Sequence, residues 1–213
     1  MIKIDLHTHS EASHDGGLNI SQYKHALEDK LDCIAITDHN RIDFAQFAKQ
    51  ELGDRIIIGE EIKTTAGEII GLFLTSKIAP FQSIEATIKE IKSQGGVVYI
   101  PHPFEKIRSG ISELYLRAIL DKIDIIEAIN GRAYFDNRTK QATKFAREHG
   151  VSGASSSDSH GVHGWGETYS IITKKPTPQT LPILIANAQL VYTKPSIRTI
   201  LYPRLNKFKK AIS

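Results

Sequence analysis

The stretch Ile2-Lys3-Ile4-Asp5-Leu6-His7-Thr8-His9 decides the reading of the fold, because a strand-like run, residues 2–6, ends directly in side chains that bind metals. Side chains alternate with a period of two along a strand, so the His-x-His spacing aims both imidazoles the same way. The arrangement recurs along the chain. Further strand-like runs occupy residues 33–37, 55–62, 68–74, 97–101, 125–130 and 153–156, followed by 168–173 and 190–192. Segments of helical period lie between most of them. Residues 83–94 place Ile84, Ile88 and Ile91 on one face behind a Ser83 N-cap and stop at Gly95-Gly96. Residues 137–149 carry Ala142, Phe145 and Ala146 in the same way before Gly150. Strands alternating with helices predict one α/β domain, and in parallel βα architectures the carboxyl ends of the strands share the face that carries the site.

Composition narrows the function. A chain of 213 residues is about one domain, and 40% hydrophobic residues suit a globular protein. No apolar run approaches the roughly 18–20 residues that span a bilayer, and the first residues lack the order of a signal peptide, so a soluble cytoplasmic protein is expected. The single cysteine, Cys33, lies in an apolar run and reads as a buried thiol. A net charge of +3 is too mild to imply nucleic-acid binding. The excess is uneven, however: Lys194, Arg198, Arg204, Lys207, Lys209 and Lys210 face no acidic residue and read as a solvated basic tail. A P-loop, a GxGxxG turn and a serine nucleophile elbow are all absent, which removes support for nucleoside-triphosphate-dependent transfer, nicotinamide chemistry and serine hydrolysis.

The residues able to do chemistry fall just after the strand runs. His7 and His9 follow the first, Asp38 and His39 the second, and Glu60-Glu61 end the third. His102 sits between the rigid neighbours Pro101 and Pro103, Asn130 and Arg132 close residues 125–130, and Asp158 and His160 follow 153–156. Asp5 is expected to orient one imidazole from behind. Asp38 also reads as a helix N-cap, and His25 and His149, inside helical segments, read as structural or surface residues. A single tetrahedral zinc takes at most four protein ligands, fewer than this inventory offers, so more than one metal is expected. Histidine, aspartate and glutamate without cysteine suit Zn, Mn or Fe. Clustered divalent ions activate water and neutralise charge on a phosphoryl group.

Asp5-Leu6-His7-Thr8-His9-Ser10 with Asp15-Gly16, Ile36-Thr37-Asp38-His39, Gly59-Glu60-Glu61-Ile62, Tyr99-Ile100-Pro101-His102-Pro103 and Ser157-Asp158-Ser159-His160 resemble the PHP (polymerase and histidinol phosphatase) family of metal-dependent phosphoesterases. The motifs keep the family's order over about residues 2–165. The resemblance implies a distorted (β/α)7 barrel with two or three divalent metals at the carboxyl ends of the strands. Residues 1–174 would form the barrel, and 175–213 an extension that packs on or caps it. It further implies His7, His9 and Asp158 as ligands of one metal, Glu61 as a bridging carboxylate, His102 as a ligand of the second, and Asp15, His39 and His160 as ligands of a third. One position departs from the pattern, Glu68, where many relatives carry histidine. Either Glu68 replaces the imidazole, favouring a harder ion such as Mn, or it points outward and the second metal loses a ligand. Where some relatives supply another histidine after Asn130, Arg132 offers a guanidinium that can grip a substrate phosphate bidentately, with Arg108 a second candidate.

The expected activity is hydrolysis of a phosphate ester by a metal-bound hydroxide, with Arg132 neutralising the phosphoryl oxygens and Asp158 serving as ligand and proton acceptor. Asp38 or His39 is the candidate for protonating the leaving group. Rival readings are exonuclease action on oligonucleotide ends, hydrolysis of an amide or other C–N bond, and a non-catalytic, metal-stabilised module. The body lacks the basic, aromatic-interleaved stripe that polymeric nucleic acid requires, which favours a small phosphorylated substrate of nucleotide size. Tyr99, Phe104, Tyr134 and Phe135 are candidates for stacking on it, and the basic tail for helping a short oligonucleotide. Neither a membrane nor an obligate protein partner is expected.

Overall fold

Branching at Cβ favours extended backbone, and the pairs Ile57-Ile58, Ile69-Ile70 and Ile125-Ile126 all lie in strands. The computed structural model describes residues 1–133 and 136–212. Its strands are β1 (Ile2–Asp5), β2 (Cys33–Ile36), β3 (Ile56–Thr64), β4 (Gly67–Leu72), β5 (Val97–Ile100), β6 (Ile125–Asn130), β7 (Ser152–Ser156), β8 (Tyr169–Ile172) and β9 (Gln189–Val191). The helices are α1 (Ile20–Asp29), α2 (Asp43–Leu52), α3 (Ile84–Ser93), α4 (Glu113–Ala118), α5 (Asp136–His149), α6 (Leu181–Ala186) and α7 (Ile197–Ile212). No described helix is long and apolar enough to cross a membrane.

The strands join in the order β7-β6-β5-β4-β3-β2-β1-β8-β9. β1, β2 and β3 pair in parallel, as do β5, β6 and β7. The two arms of the sheet then approach one another. Ser155 N donates to Ser170 Oγ at 2.9 Å, the Ser170 hydroxyl donates back to Ser155 O at 3.0 Å, and His9 N donates to Ser159 O at 2.9 Å. The sheet is a nearly closed α/β barrel, as expected from the sequence.

β4 runs against both neighbours. Only Thr65 and Ala66 separate it from β3, and so short a connection can join antiparallel strands but cannot make the crossover a parallel pair needs. Glu68 therefore stands near the start of its strand, at the barrel end where β3 finishes, paired with Lys63.

Alternation along the strands divides the core. Ile34, Ile36 and Ile56 pack with Tyr23, Ala26 and Leu27 of α1 and Ala45 and Ala48 of α2, whereas Cys33, Ala35, Ile57, Tyr99 and Ile125 belong to a separate cluster. α3 buries Ile84, Ile88 and Ile91 behind Ser83, whose hydroxyl accepts from Ala86 N at 3.2 Å. The basic residues after 194 are exposed, as expected, but they stand on a helix and not on a loose tail. They belong to α7, which docks through Thr199, Pro203 and Asn206, a stripe at i, i+4 and i+7 that the charge run conceals.

Candidate metal centre

Past β1, the backbone is pinned on both sides: Thr37 N donates to Thr8 O at 2.9 Å, and Thr8 Oγ1 donates to Ala35 O at 2.7 Å. His7 and His9 consequently point the same way, with their Nε2 atoms 3.0 Å apart. Glu61, from β3, reaches between the rings. Its Oε2 lies 3.4 Å from His7 Nε2, 3.3 Å from His9 Nε2 and 3.3 Å from His39 Nδ1, while its Oε1 is 2.9 Å from His102 Nε2. Asp158 Oδ1 is 3.5 Å from Nε2 of both His7 and His9, and Asp15 Oδ2 is 3.6 Å from His39 Nε2 and 3.4 Å from His160 Nε2. His102 (φ 25°) and Asp158 (φ 52°) both take left-handed backbone, a strained conformation that side chains at functional sites often hold.

Candidate donor atoms fall into overlapping groups whose members lie within 4.8 Å of one another: His9, Asp15, His39 and His160; His7, His102 and Asp158; His7, His9 and Glu61; and Glu61, Glu68 and His102. Glu68 thus joins Glu61 and His102 and does not turn outward. Glu61 Oε2 and His160 Nε2 are buried without a hydrogen-bond partner. Nitrogen and carboxylate donors left open in this way, with no thiolate among them, fit divalent ions of the Zn, Mn or Fe type.

Electrostatics point the same way. Burial works to raise the Asp158 carboxyl, but Arg132 and His7 hold it well below the usual carboxylate range. Burial likewise opposes ionisation of Glu61, and His39 and His7 overcome it. His9 rises to about 9 against its burial because the Asp158 and Glu61 carboxylates stand beside it, whereas burial, His9 and Arg132 push His160 down to about 3. Glu68 is raised by burial and by Glu61. Asp158 and Glu61 are thus held ionised, the state in which a carboxylate ligates a divalent ion.

Some expected roles belong to other residues. Asp5 does not orient an imidazole: its Oδ1 accepts the backbone N–H groups of His7 at 3.3 Å and Ser157 at 3.0 Å. Glu127, which the motifs do not include, accepts from His7 Nδ1 at 3.0 Å and from His102 N at 2.6 Å. A register shift between Glu127 and Ile129 leaves Ala128 as an extra residue in β6, a bulge of the kind that re-aims side chains beside sites. The readable signal was an acid inside the apolar run Ile125-Ile126-Glu127-Ala128-Ile129.

Asp38 is a correction as a proton donor, since Ser10 engages both its oxygens: Ser10 N donates to Oδ1 at 2.7 Å and Ser10 Oγ to Oδ2. It holds the loop after β1 and does not line the cavity, whereas His39 does. Tyr99 and Phe104 are not stacking surfaces. Both are buried, the Tyr99 hydroxyl against Glu127 and Ser156 and Phe104 against Phe145. Tyr134 and Phe135 lie outside the described residues.

Asp15, His39, Glu61, Glu68, His102, Asp158 and His160 line a cavity of about 910 Å³, with His7 and His9 buried behind them. Its wall includes Arg108 and Arg132, and the Nη1 atoms of both approach Asp158 Oδ2, that of Arg132 at 3.2 Å. Arg108 also donates to Asn130 Oδ1 at 2.9 Å and pairs with Glu105. Lys106, Arg138, Arg204 and Lys207 add positive charge around the mouth.

Similarity to known proteins agrees with this geometry. The chain is 33% identical over 150 residues to the uncharacterized protein MJ1587 of Methanocaldococcus jannaschii, covering 64% of this chain and 88% of that one. It is 32% identical over 178 residues to MJ0417 of the same organism, covering 79% and 69%. Its fold matches a crystal structure of a two-domain Bacteroides vulgatus protein containing a predicted PHP-like metal-dependent phosphoesterase, with a TM-score of 0.73 and 18% identity over 97% of this chain and 69% of that one. The PHP domain profile itself matches residues 5–95, the segment that supplies His7, His9, Asp15, His39, Glu61 and Glu68, and the chain belongs to the PHP domain family.

Proposed function

We propose that the chain is a cytoplasmic phosphoesterase that hydrolyses a terminal phosphate from a small, nucleotide-sized substrate and works with two or three divalent ions of Mn, Zn or Fe. The observation that carries this reading is the meeting of four overlapping ligand groups with two guanidinium groups on one cavity wall. His9, Asp15, His39 and His160 would hold one ion, His7 and Asp158 another, and His102 with Glu68 a third, with the Glu61 carboxylate lying among the three. Bound there, such ions supply water activation and neutralise phosphoryl charge.

The chain's own residues do the rest. Arg132 has a buried Nε with no hydrogen-bond partner among the described residues, a donor free to meet a phosphoryl oxygen. Arg108 is tied to Glu105, Asn130 and Asp158, and its role is to fix the Asp158 carboxylate. Asp158, kept ionised by Arg132 and His7, is ready to ligate a metal ion, and its place on the cavity wall makes it the candidate acceptor for a proton from water. A cavity of about 910 Å³ suits a nucleotide-sized ligand, within the usual range of roughly 300–1,000 Å³ for small-molecule sites. We read residues 175–213 as the cap over it.

The test is phosphate release from nucleoside monophosphates and bisphosphates, sugar phosphates, short oligonucleotides and long single-stranded DNA, each with Mn, Zn or Fe. Release from nucleotides in preference to the polymer supports the reading. A tenfold or greater preference for long DNA makes the protein a nuclease, and no release from any ester with any metal favours the non-catalytic module.

A further inference from the structure

The loop from Glu11 to Gly17 carries Asp15 but belongs to no described helix or strand, and the turn after β7 carries His160. Asp15 and His160, two ligand candidates of the group His9, Asp15, His39 and His160, thus stand on loops rather than on strands. One side chain of α7 ties these two loops to each other. Asn206 is only 8% exposed, and its Nδ2 donates to Asp15 O at 2.9 Å and to His160 O at 2.8 Å. An amide nitrogen has two hydrogens, and here each is spent on the carbonyl of a ligand residue.

The surroundings are shaped for this contact. A Cβ on Gly17 would lie 2.9 Å from Asn206 Nδ2, and one on Gly161 would lie 2.4 Å from the Tyr202 ring. Each loop therefore presents a glycine where α7 touches it, allowing helix and loop to approach closely. Lys210 Nζ donates to the carbonyls of Glu11 and Ser13, and Lys207 Nζ stands 3.9 Å from Asp15 Oδ2. The remaining groups are supported differently: His7 and His102 are held by Glu127, and Asp158 by Arg108, Arg132 and Asn130.

We propose that Asn206 is a positioning residue for one ion of the centre, clamping the Asp15 and His160 loops so that docking of α7 and binding of that ion are coupled. The proposal rests on the metal-centre reading but not on the choice of substrate. Because linkage is reciprocal, chelation loosens α7 just as loss of the clamp weakens the ion.

Asn206→Asp is the discriminating variant, since it keeps the volume of the side chain but turns an acceptor toward two carbonyl oxygens. Wild type, Asn206→Asp, Asn206→Ala and the exposed-face control Phe208→Ala are titrated with Mn, following free ion by electron paramagnetic resonance and bound ion by elemental analysis. The expected result is one class of site weakened by about 10–100-fold in Asn206→Asp, less in Asn206→Ala and not in Phe208→Ala, with the other classes and the circular dichroism unchanged. Equal affinity and stoichiometry in all four overturns the clamp, as does uniform loss of every ion from a folded variant. Should Asn206→Asp not fold, hydrogen exchange of the wild type decides. Chelation is expected to speed exchange across residues 197–212 more than across α3, and equal protection with and without metal overturns the coupling. A wild type that binds no divalent ion overturns the metal-centre reading and the clamp together.

Discussion

Glu127 accepts a hydrogen bond from His7 Nδ1 at 3.0 Å, and this contact fixes which nitrogen of His7 faces the other ligands. Burial works against the Glu127 charge, but His7 beside it holds the carboxyl below its ordinary range. An ionised carboxylate can only accept, so Nδ1 carries a proton, and Nε2 is the nitrogen turned toward His9, Glu61 and Asp158, the one a metal ion would take.

Removing that carboxylate charge is expected to weaken metal binding by about 10–100-fold in Glu127→Gln, as substitutions behind a metal-bound histidine do. Mn titration of the purified variant checks this. Glu127→Ala should also lower thermal stability, because His102 N, Tyr99 OH and Asn130 Nδ2 lose an acceptor, at about 1–3 kcal/mol for each stranded buried donor. Wild-type affinity in both variants would show that the contact does not tune His7.

His7→Ala, Glu61→Gln and Asp158→Asn are each expected to lower turnover at least about a hundredfold at saturating metal. His7 and Asp158 stand just beyond their strands, and Glu61→Gln inside β3 keeps the size of the side chain, so circular dichroism should be unchanged. Elemental analysis of the same samples separates a lost ion from a lost proton acceptor: Asp158→Asn that keeps its metals but loses turnover acts through proton transfer. A variant with wild-type turnover is not a ligand.

The parts of this centre that were legible in the sequence share one property: their geometry is local. His7 and His9 meet because two residues along a strand return a side chain to the same side, and the ends of parallel strands gather what the chain scatters. Glu68 could be read only as a fork, since its inward aim follows from the direction of β4, which a two-residue turn sets and residue type does not. Glu127 stayed hidden because its partner His7 is 120 positions away and a bulge decides where it points. Asn206 was equally hidden, as its acceptors lie 191 and 46 positions away within a segment whose most visible feature is charge. Asp38 misled for the opposite reason: beside His39 it looks like chemistry, and only the fold reveals that Ser10 engages both its oxygens.

Glu60, next to Glu61, bears on stability against pH. Burial pushes its carboxyl up to about 7; Oε2 accepts from Ile78 N at 2.8 Å and Oε1 has no partner among the described residues. A pKa raised on folding means that the folded state binds more protons between the unfolded value of about 4.5 and the folded value of about 7. The stabilising effect of protonation is complete below the lower value and is lost as pH rises through the upper one. Glu60→Gln, neutral throughout, should match wild type near pH 5 and exceed it by about 2–3 kcal/mol near pH 8. Denaturant unfolding of both proteins at both pH values, at constant metal, measures the difference. A variant no more stable than wild type at pH 8 would mean that Glu60 ionises in the folded protein without cost.

Arg132 and Arg108 approach the same oxygen of Asp158, yet their surroundings predict opposite kinetic signatures. The buried Nε of Arg132 has no hydrogen-bond partner among the described residues, so on the proposed reading its loss removes a contact made to the phosphate alike in the bound substrate and in the transition state. Arg132→Ala is therefore expected to raise KM about tenfold and to change kcat by less than about threefold, the pattern of uniform binding. Arg108 is committed to Glu105, Asn130 and Asp158, and removing it frees the Asp158 carboxylate to shift by a fraction of an ångström. Misplacement of a reacting group costs rate, so Arg108→Ala should lower kcat by about a hundredfold with little change in KM. Steady-state kinetics of both variants on the best nucleotide substrate, at saturating metal, test the pair together. If kcat falls more for Arg132→Ala than for Arg108→Ala, the two guanidinium groups exchange roles, and Arg132 acts on charge that develops only in the transition state.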